Sequence, residues 1–221
     1  MSLVRVLALM MTLCAGMAQA WPADVYVDLE QGREAFRRLA AIEWVEVEDP
    51  LIATAEVLPS GELLLTGNKP GRTLALLYAE GKFAVWRLRV GPKGEKVVPE
   101  NGDPTTLARA CPGAKLGETL VVSVRDETCR TTLAHFLERD AFSARDLEIT
   151  FELQALQAQL AAMQKRLEAA GLGAVRLRYL GAGLVIEGEL TPAEHRRVLW
   201  VVFRESVGRV ALDDQSRIRE D

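Results

Sequence analysis

Between Ile42 and Val90 apolar and polar residues alternate in short runs interrupted by turn formers. The runs are Trp44–Val47, Thr54–Leu58 and Glu62–Leu65, followed by the pair Thr73–Tyr78 and Phe83–Val90. A period of two sends successive side chains to opposite faces, so each run predicts a half-buried antiparallel strand. The breaks at Asp49-Pro50, Pro59-Ser60-Gly61, Gly67-Asn68-Lys69-Pro70-Gly71 and Glu80-Gly81-Lys82 carry residues that accept turn dihedrals. Val25–Leu29 alternates in the same way and predicts a first strand, while Gly32–Ala41 carries a short amphipathic stretch. The expectation is a small all-β, sandwich-like domain over residues 21–91.

Gly91–Lys96 and Pro99–Pro104 then concentrate Gly, Pro and charge around Val97-Val98, the composition of a linker over 92–104. Beyond it, helical and strand patterns alternate. Thr105–Cys111 predicts a short helix stopped by Pro112-Gly113, Leu120–Val124 a strand, and Thr128–Arg139 a helix that turns Leu133, Phe136 and Leu137 inward. Leu147, Ile149, Phe151 and Leu153 alternate with polar residues and favour a strand, whereas Ser143–Asp146 offers a capping box that would open one long helix instead. From Gln154 the phase is helical, because Leu153, Leu156, Leu160, Met163 and Leu167 fall three and four apart until Gly171 ends the run. A coiled coil shares that spacing, but barely two heptads are covered, so a core-facing stripe is the better reading. Val175–Leu180 and Gly183–Leu190 predict two more strands. Thr191-Pro192-Ala193-Glu194 joins a capping residue, a proline at the first helical position and a Glu three residues after the cap. That helix turns Val198, Leu199, Val202 and Phe203 inward. Gly208–Leu212 predicts a last strand, before a polar tail at 215–221. The expected fold class is α+β, with a mixed region of βαββαβ type over 105–214 that forms either one domain or two.

The residues of the first region carry a resemblance. Val47–Ala53, then Leu63–Thr73 with its Gly67-x-x-x-Gly71-x-Thr73 pattern, then Gly81 and the closing Trp86–Val90 strand, resemble the N-terminal domain of outer-membrane secretins from tight-adherence pili and type II and III secretion systems. In the second region, Leu184–Leu190 and Val207–Val210 resemble the BON-like or ring-building modules of periplasmic assembly proteins. In secretins the first module precedes a long β-rich pore region, which this chain lacks. The resemblance therefore implies a component that works beside a secretin rather than the channel itself.

Residues 1–20 have a basic start, an apolar core over Val6–Leu13 and an Ala18-Gln19-Ala20 end, the three parts of a cleavable export signal. The apolar run is too short to span a bilayer, although a retained anchor is the alternative. Cys14 follows Leu13, where a lipid-modified cysteine takes a small neighbour. Export implies an oxidising compartment, the periplasm, and leaves Cys111 and Cys129 as a pair. Bonded, they would close a loop of about nineteen residues; the alternative is two buried thiols. With 221 residues, 49% hydrophobic content and a net charge of −4, the chain supports real cores and shows no electrostatic footprint for nucleic acid.

Candidate chemistry is sparse. His135 lies among polar helix positions and His195 at the edge of an apolar face, and no His, Cys or carboxylate spacing suggests a metal. Gly67–Thr73 lacks the Gly-Lys-Thr of a phosphate loop and leads into a strand, not a helix. Gly181-Ala182-Gly183 lacks a dinucleotide fingerprint. The sequence gives no reason to expect an enzyme or a cofactor.

Two readings remain. The first is a periplasmic component of a pilus-assembly or secretion apparatus, acting through contact with an outer-membrane secretin or other pilus or secretion proteins, or as a homo-oligomeric ring. Its expected contact residues are Lys69, Pro70, Gly71, Arg72 and Trp86, on the 69–72 turn and the Ala84–Val90 strand. The second is a periplasmic ligand-, lipid- or cell-wall-binding module with peripheral membrane contact, for which Arg176, Arg178 and Tyr179 are the available residues.

Overall fold

The computed structural model describes residues 23–39, 42–79, 82–98, 102–139, 147–181, 183–207 and 210–219. The expected export signal at 1–20, the capping-box alternative at 143–146 and positions 208–209 lie outside them.

The first seven strands follow the alternation in the sequence. They are β1 (Val25–Glu30), β2 (Glu34–Arg38), β3 (Ile42–Val47), β4 (Ala53–Val57), β5 (Glu62–Gly67), β6 (Gly71–Ala79) and β7 (Lys82–Gly91). One sheet has the order β1-β7-β6-β3 and the other β2-β5-β4. All neighbours are antiparallel except β1, which runs parallel to β7 from Val25 opposite Trp86 to Glu30 opposite Gly91. The inward residues Val27, Leu29, Leu63, Leu65, Ala75, Leu77, Trp86 and Leu88 meet in one core. The amphipathic stretch after Gly32 is the strand β2: Ala35 packs against that core, while Phe36 on the opposite face is 54% exposed.

After β7 the chain builds the same topology twice. The first unit is α1 (Pro104–Ala110), β8 (Lys115–Leu116), β9 (Leu120–Val124), α2 (Glu127–Leu137) and β10 (Leu147–Phe151). The second is α3 (Leu153–Ala169), β11 (Arg176–Leu180), β12 (Gly183–Glu187), the short β13 (Glu189–Leu190), α4 (Pro192–Glu205) and β14 (Ala211–Asp214). In each three-stranded sheet the middle strand, β9 or β12, is antiparallel to the strand before it and parallel to the strand that follows the crossover helix. The preferred strand at 147–151 is thus the third strand of the first unit. Leu153 does not belong to the buried stripe of α3: it is the first helical residue and 69% exposed, and the buried positions are Ala155, Gln159, Met163 and Leu167. The stretch after Asp214 is also more than a tail, since β15 (Arg217–Ile218) pairs with β13.

Local chemistry sets the helix ends. The Asp103 carboxylate accepts from the Thr105 and Thr106 amides at the start of α1. Thr191 and Glu194 form the reciprocal box expected for α4. At the end of α3, Gly171 adopts φ +76°, a left-handed conformation that glycine reaches without strain.

Cys111, at the end of α1, is bonded to Cys129 in the first turn of α2. The bond joins two helices that also share the buried Leu107, Leu133 and Phe136. Reduction should lower the unfolding free energy by about 3 kcal/mol on the chain-entropy account. Urea unfolding with and without reductant measures it, with Cys111→Ser/Cys129→Ser as the reductant-insensitive control. An unchanged midpoint would contradict this role.

Candidate functional site

The glycine-rich segment that carries the resemblance is a structural clasp. The Asp49 amide donates to Thr73 Oγ1 at 3.0 Å, the Leu51 amide to Asp49 Oδ1, and Asn68 Nδ2 to the Pro50 carbonyl at 2.9 Å. A Cβ on Gly67 would stand 2.8 Å from the Glu30 carbonyl oxygen, and Gly71 has φ +156° with Ile52 packed against it. Asp49-Pro50 and Gly67–Thr73 therefore hold the β3–β4 and β5–β6 connections together. Lys69 and Pro70 are exposed beyond this clasp, whereas Arg72 turns back and donates to the Val98 carbonyl of the linker at 3.0 Å.

Strand β7 does not offer the contact surface expected of it. It lies between β1 and β6, so it has no free edge. Trp86 is only 5% exposed, because the parity of the strand sends it into the sandwich core with Leu88 and Val90. The alternate residues Val85 and Arg87 face outward from the sandwich, yet both are buried. What covers them is the second half of the same chain.

That covered face is an apolar interface within the chain. Leu74, Leu76 and Val85 of β6 and β7 share a single core with Met163 and Leu167 of α3, Leu184 and Ile186 of β12, and Val198, Leu199, Val202 and Phe203 of α4. The face carries aromatic rings at one end: Trp44 on Tyr78 at 6.0 Å, Tyr78 on Phe83 at 4.7 Å, and Phe83 edge-on to Phe203 at 6.1 Å. Near its middle Arg204 of α4 pairs with Glu48 at 2.8 Å, and buried Arg87 approaches the Leu137 carbonyl at the end of α2 at 3.5 Å. Polar contacts join the two later units through Arg130 and tie the second together through Gln159. Arg130 grips Glu127 through two bonds and reaches the Glu205 carbonyl at 3.1 Å. Buried Gln159 donates to the Tyr179 hydroxyl at 2.7 Å and accepts from the Val207 amide at 3.0 Å.

At the aromatic end a cleft of about 350 Å³ opens between Trp44, Tyr78 and Phe83 on one side and the start of α4 and the β14–β15 turn on the other. His195 and Arg196 of α4 line it, with Asp214, Ser216 and Ile218 opposite. His195 Nε2 meets Asp214 Oδ2 at 2.5 Å, and the other carboxylate oxygen accepts from the Ser216 amide and hydroxyl. Burial pushes the Asp214 carboxyl up, but these hydrogen bonds outweigh it and hold it below the usual aspartate range. The serine bonds the carboxylate rather than the imidazole, so these three residues are not arranged as an acyl-transfer triad. His135 lies elsewhere, beside Glu138 on the exposed side of α2. The place of His195 in a cleft has no local sequence signal, since the walls come from positions more than a hundred residues apart. Arg176 and Arg178 are exposed on β11, while Tyr179 points to the other face, half-buried against Gln159, so the three form no common patch. Among the described residues no group of carboxylates, histidines or cysteines is placed to hold a metal ion, and no helix is long and apolar enough to cross a membrane.

Residues 23–91 match the family described as pilus formation protein N terminal region, so the first module is of the type built into pilus and type II or III secretion proteins. Among solved structures, the C-terminal domain of CdsD, the structural protein of the type III secretion system of Chlamydia trachomatis, is 15% identical, with 59% of this chain and 72% of that one covered at a TM-score of 0.29. Domains 4 and 5 of the S-layer protein SbsC are 17% identical, with 30% and 47% covered at 0.26. The chain spans about half the length of those S-layer domains and 12% of a longer structure of the same protein. Scores this low leave the function to be argued from the site itself. No curated protein matches the chain.

The Glu48–Arg204 pair makes the internal interface sensitive to charge. Burial raises the Glu48 carboxyl above its ordinary value, with Arg204 opposing it. A raised carboxyl favours the folded state most when protonated, so its contribution is full below its unfolded value of 4.5 and falls as pH rises through the higher folded value. Glu48→Gln should therefore flatten the pH dependence of stability above pH 4.5, and Arg204→Ala should steepen it while costing about 1–3 kcal/mol at neutral pH. Thermal melts across pH test both, and parallel curves for all three proteins would contradict the assignment.

Proposed function

We propose that the protein is a non-enzymatic periplasmic component of a pilus-assembly or secretion apparatus, acting through contact with an outer-membrane secretin or as part of a periplasmic ring. The observation that supports this most is the pilus formation module at residues 23–91, packed face to face on two units of one repeated topology. Chains that stack small mixed units present strand edges and sheet faces from which larger assemblies are made. Here the large outward face of β6 and β7 is occupied internally, so the surfaces left for partners are elsewhere. They include the exposed Lys69-Pro70 tip and the β11 edge with Arg176, Arg178 and exposed Leu180. The expected export signal and the disulfide both suit an oxidising envelope compartment.

Gentle crosslinking in the native cell envelope, affinity purification of the tagged protein and mass spectrometry test this reading. Recovery of a secretin or of pilus or secretion platform proteins is the expected result. Recovery of the protein alone, or only with lipid and cell-wall fragments, would overturn it.

A further inference from the structure

The rings at the aromatic end pack on the core, but the cleft beside them holds polar groups that no described residue bonds. The Arg196 guanidinium stacks over Trp44 at 5.5 Å and makes no ion pair with a described carboxylate. Neither the Trp44 indole N–H nor the Tyr78 hydroxyl bonds to a described residue. Asp214, in contrast, is already saturated by His195 and Ser216. The Trp44 and Arg196 side of the cleft is therefore aromatic, carries one cation without a carboxylate partner among the described residues, and is supplied with donors, while the negative charge of Asp214 lies on the opposite wall against His195. What would complement the Arg196 side is a flat apolar group flanked by acceptors and a negative charge.

We propose that this cleft binds an extended, proline-containing segment of a partner protein that carries an acidic residue beside the proline. The proposal rests on the contact role above and names the chemistry of what is contacted. Three features of such a segment fit. A pyrrolidine ring is rigid and apolar, and the Trp44 and Tyr78 rings lie within 24° of parallel, with Phe83 tilted at their side. A polyproline-type backbone makes no internal hydrogen bonds, so its carbonyls are free for the indole and phenol donors. Its carboxylate would give Arg196 the charged partner it lacks among the described residues. The volume of about 350 Å³ suits one or two side chains at the low end of binding sites, not a folded domain.

Fluorescence anisotropy of a labelled Asp-Pro repeat peptide titrated with the purified full chain tests this, with a Lys-Pro repeat of equal length as control. The Asp-Pro peptide should bind saturably and at least about tenfold more tightly than Lys-Pro. Arg196→Glu should remove that preference. Ser216→Trp, which fills the cleft from the β14–β15 turn, should abolish binding of both peptides, with circular dichroism at the assay temperature showing that the chain stays folded after losing the Ser216 hydroxyl bond to Asp214. Absent saturable binding, equal binding of the two peptides, or binding that survives both substitutions would overturn the inference. Repeating the envelope crosslinking with Arg196→Glu and Ser216→Trp separates the two claims. Partners recovered from wild type but lost from both variants support the cleft; partners retained by both remove the cleft while the contact role stands. Failure of wild type itself to recover partners removes the contact role.

Discussion

The burial of both faces of the β1-β7-β6-β3 sheet is the constraint on which the rest depends. A four-stranded sheet with Leu74, Leu76, Val85 and Phe83 on its outer side cannot leave that side in water without exposing a large apolar patch. Helix α4 resolves this by lying between two sheets: Val198, Leu199 and Val202 join the core over β12, and Phe203 meets Phe83. The helix belongs by sequence to the second unit and by packing to the first module as well. The described residues between β7 and α1 are tied down on the same account, since Arg72 binds the Val98 carbonyl and Phe136 closes on Gly102.

The polar groups at the joints follow from the same geometry. Where α2, α3 and the end of α4 converge, backbone groups at the C-terminus of α4 would be buried without partners, and Arg130 and Gln159 reach in to satisfy Glu205 and Val207. Burial pushes the Tyr179 hydroxyl up, while its bond with Gln159 draws it down. Arg130 thereby ties the first unit to the second, while Gln159 fixes α3 to β11 and to the end of α4 within the second.

Much of this was readable because it is local. The capping box at Thr191 and Glu194, the stop at Gly171 and the alternation in β3 to β7 each lie within a few residues, where backbone chemistry decides the outcome. Thr73–Leu77 carried a signal that alternation obscured. All five residues are buried, the mark of a strand covered on both sides. The parity of Trp86 with Leu88 and Val90 is itself the sequence signal for its place inside the sandwich. Leu153 fell in phase with the α3 stripe, but as the first helical residue it has no preceding turn to pack beside. The Glu48–Arg204 pair and the walls of the cleft had no local signature at all, because only the fold brings such distant positions together.

The parallel pairing of β1 with β7 has a mechanical consequence. β1 enters beside Trp86 and ends beside Gly91, so the start of the module and its exit to the linker lie at opposite ends of one ladder, about 20 Å apart for six residues. A force that draws these two ends apart does not peel the ladder one bond at a time. It loads every hydrogen bond between β1 and β7 at once, in shear, so the module is built to resist tension along its own chain direction.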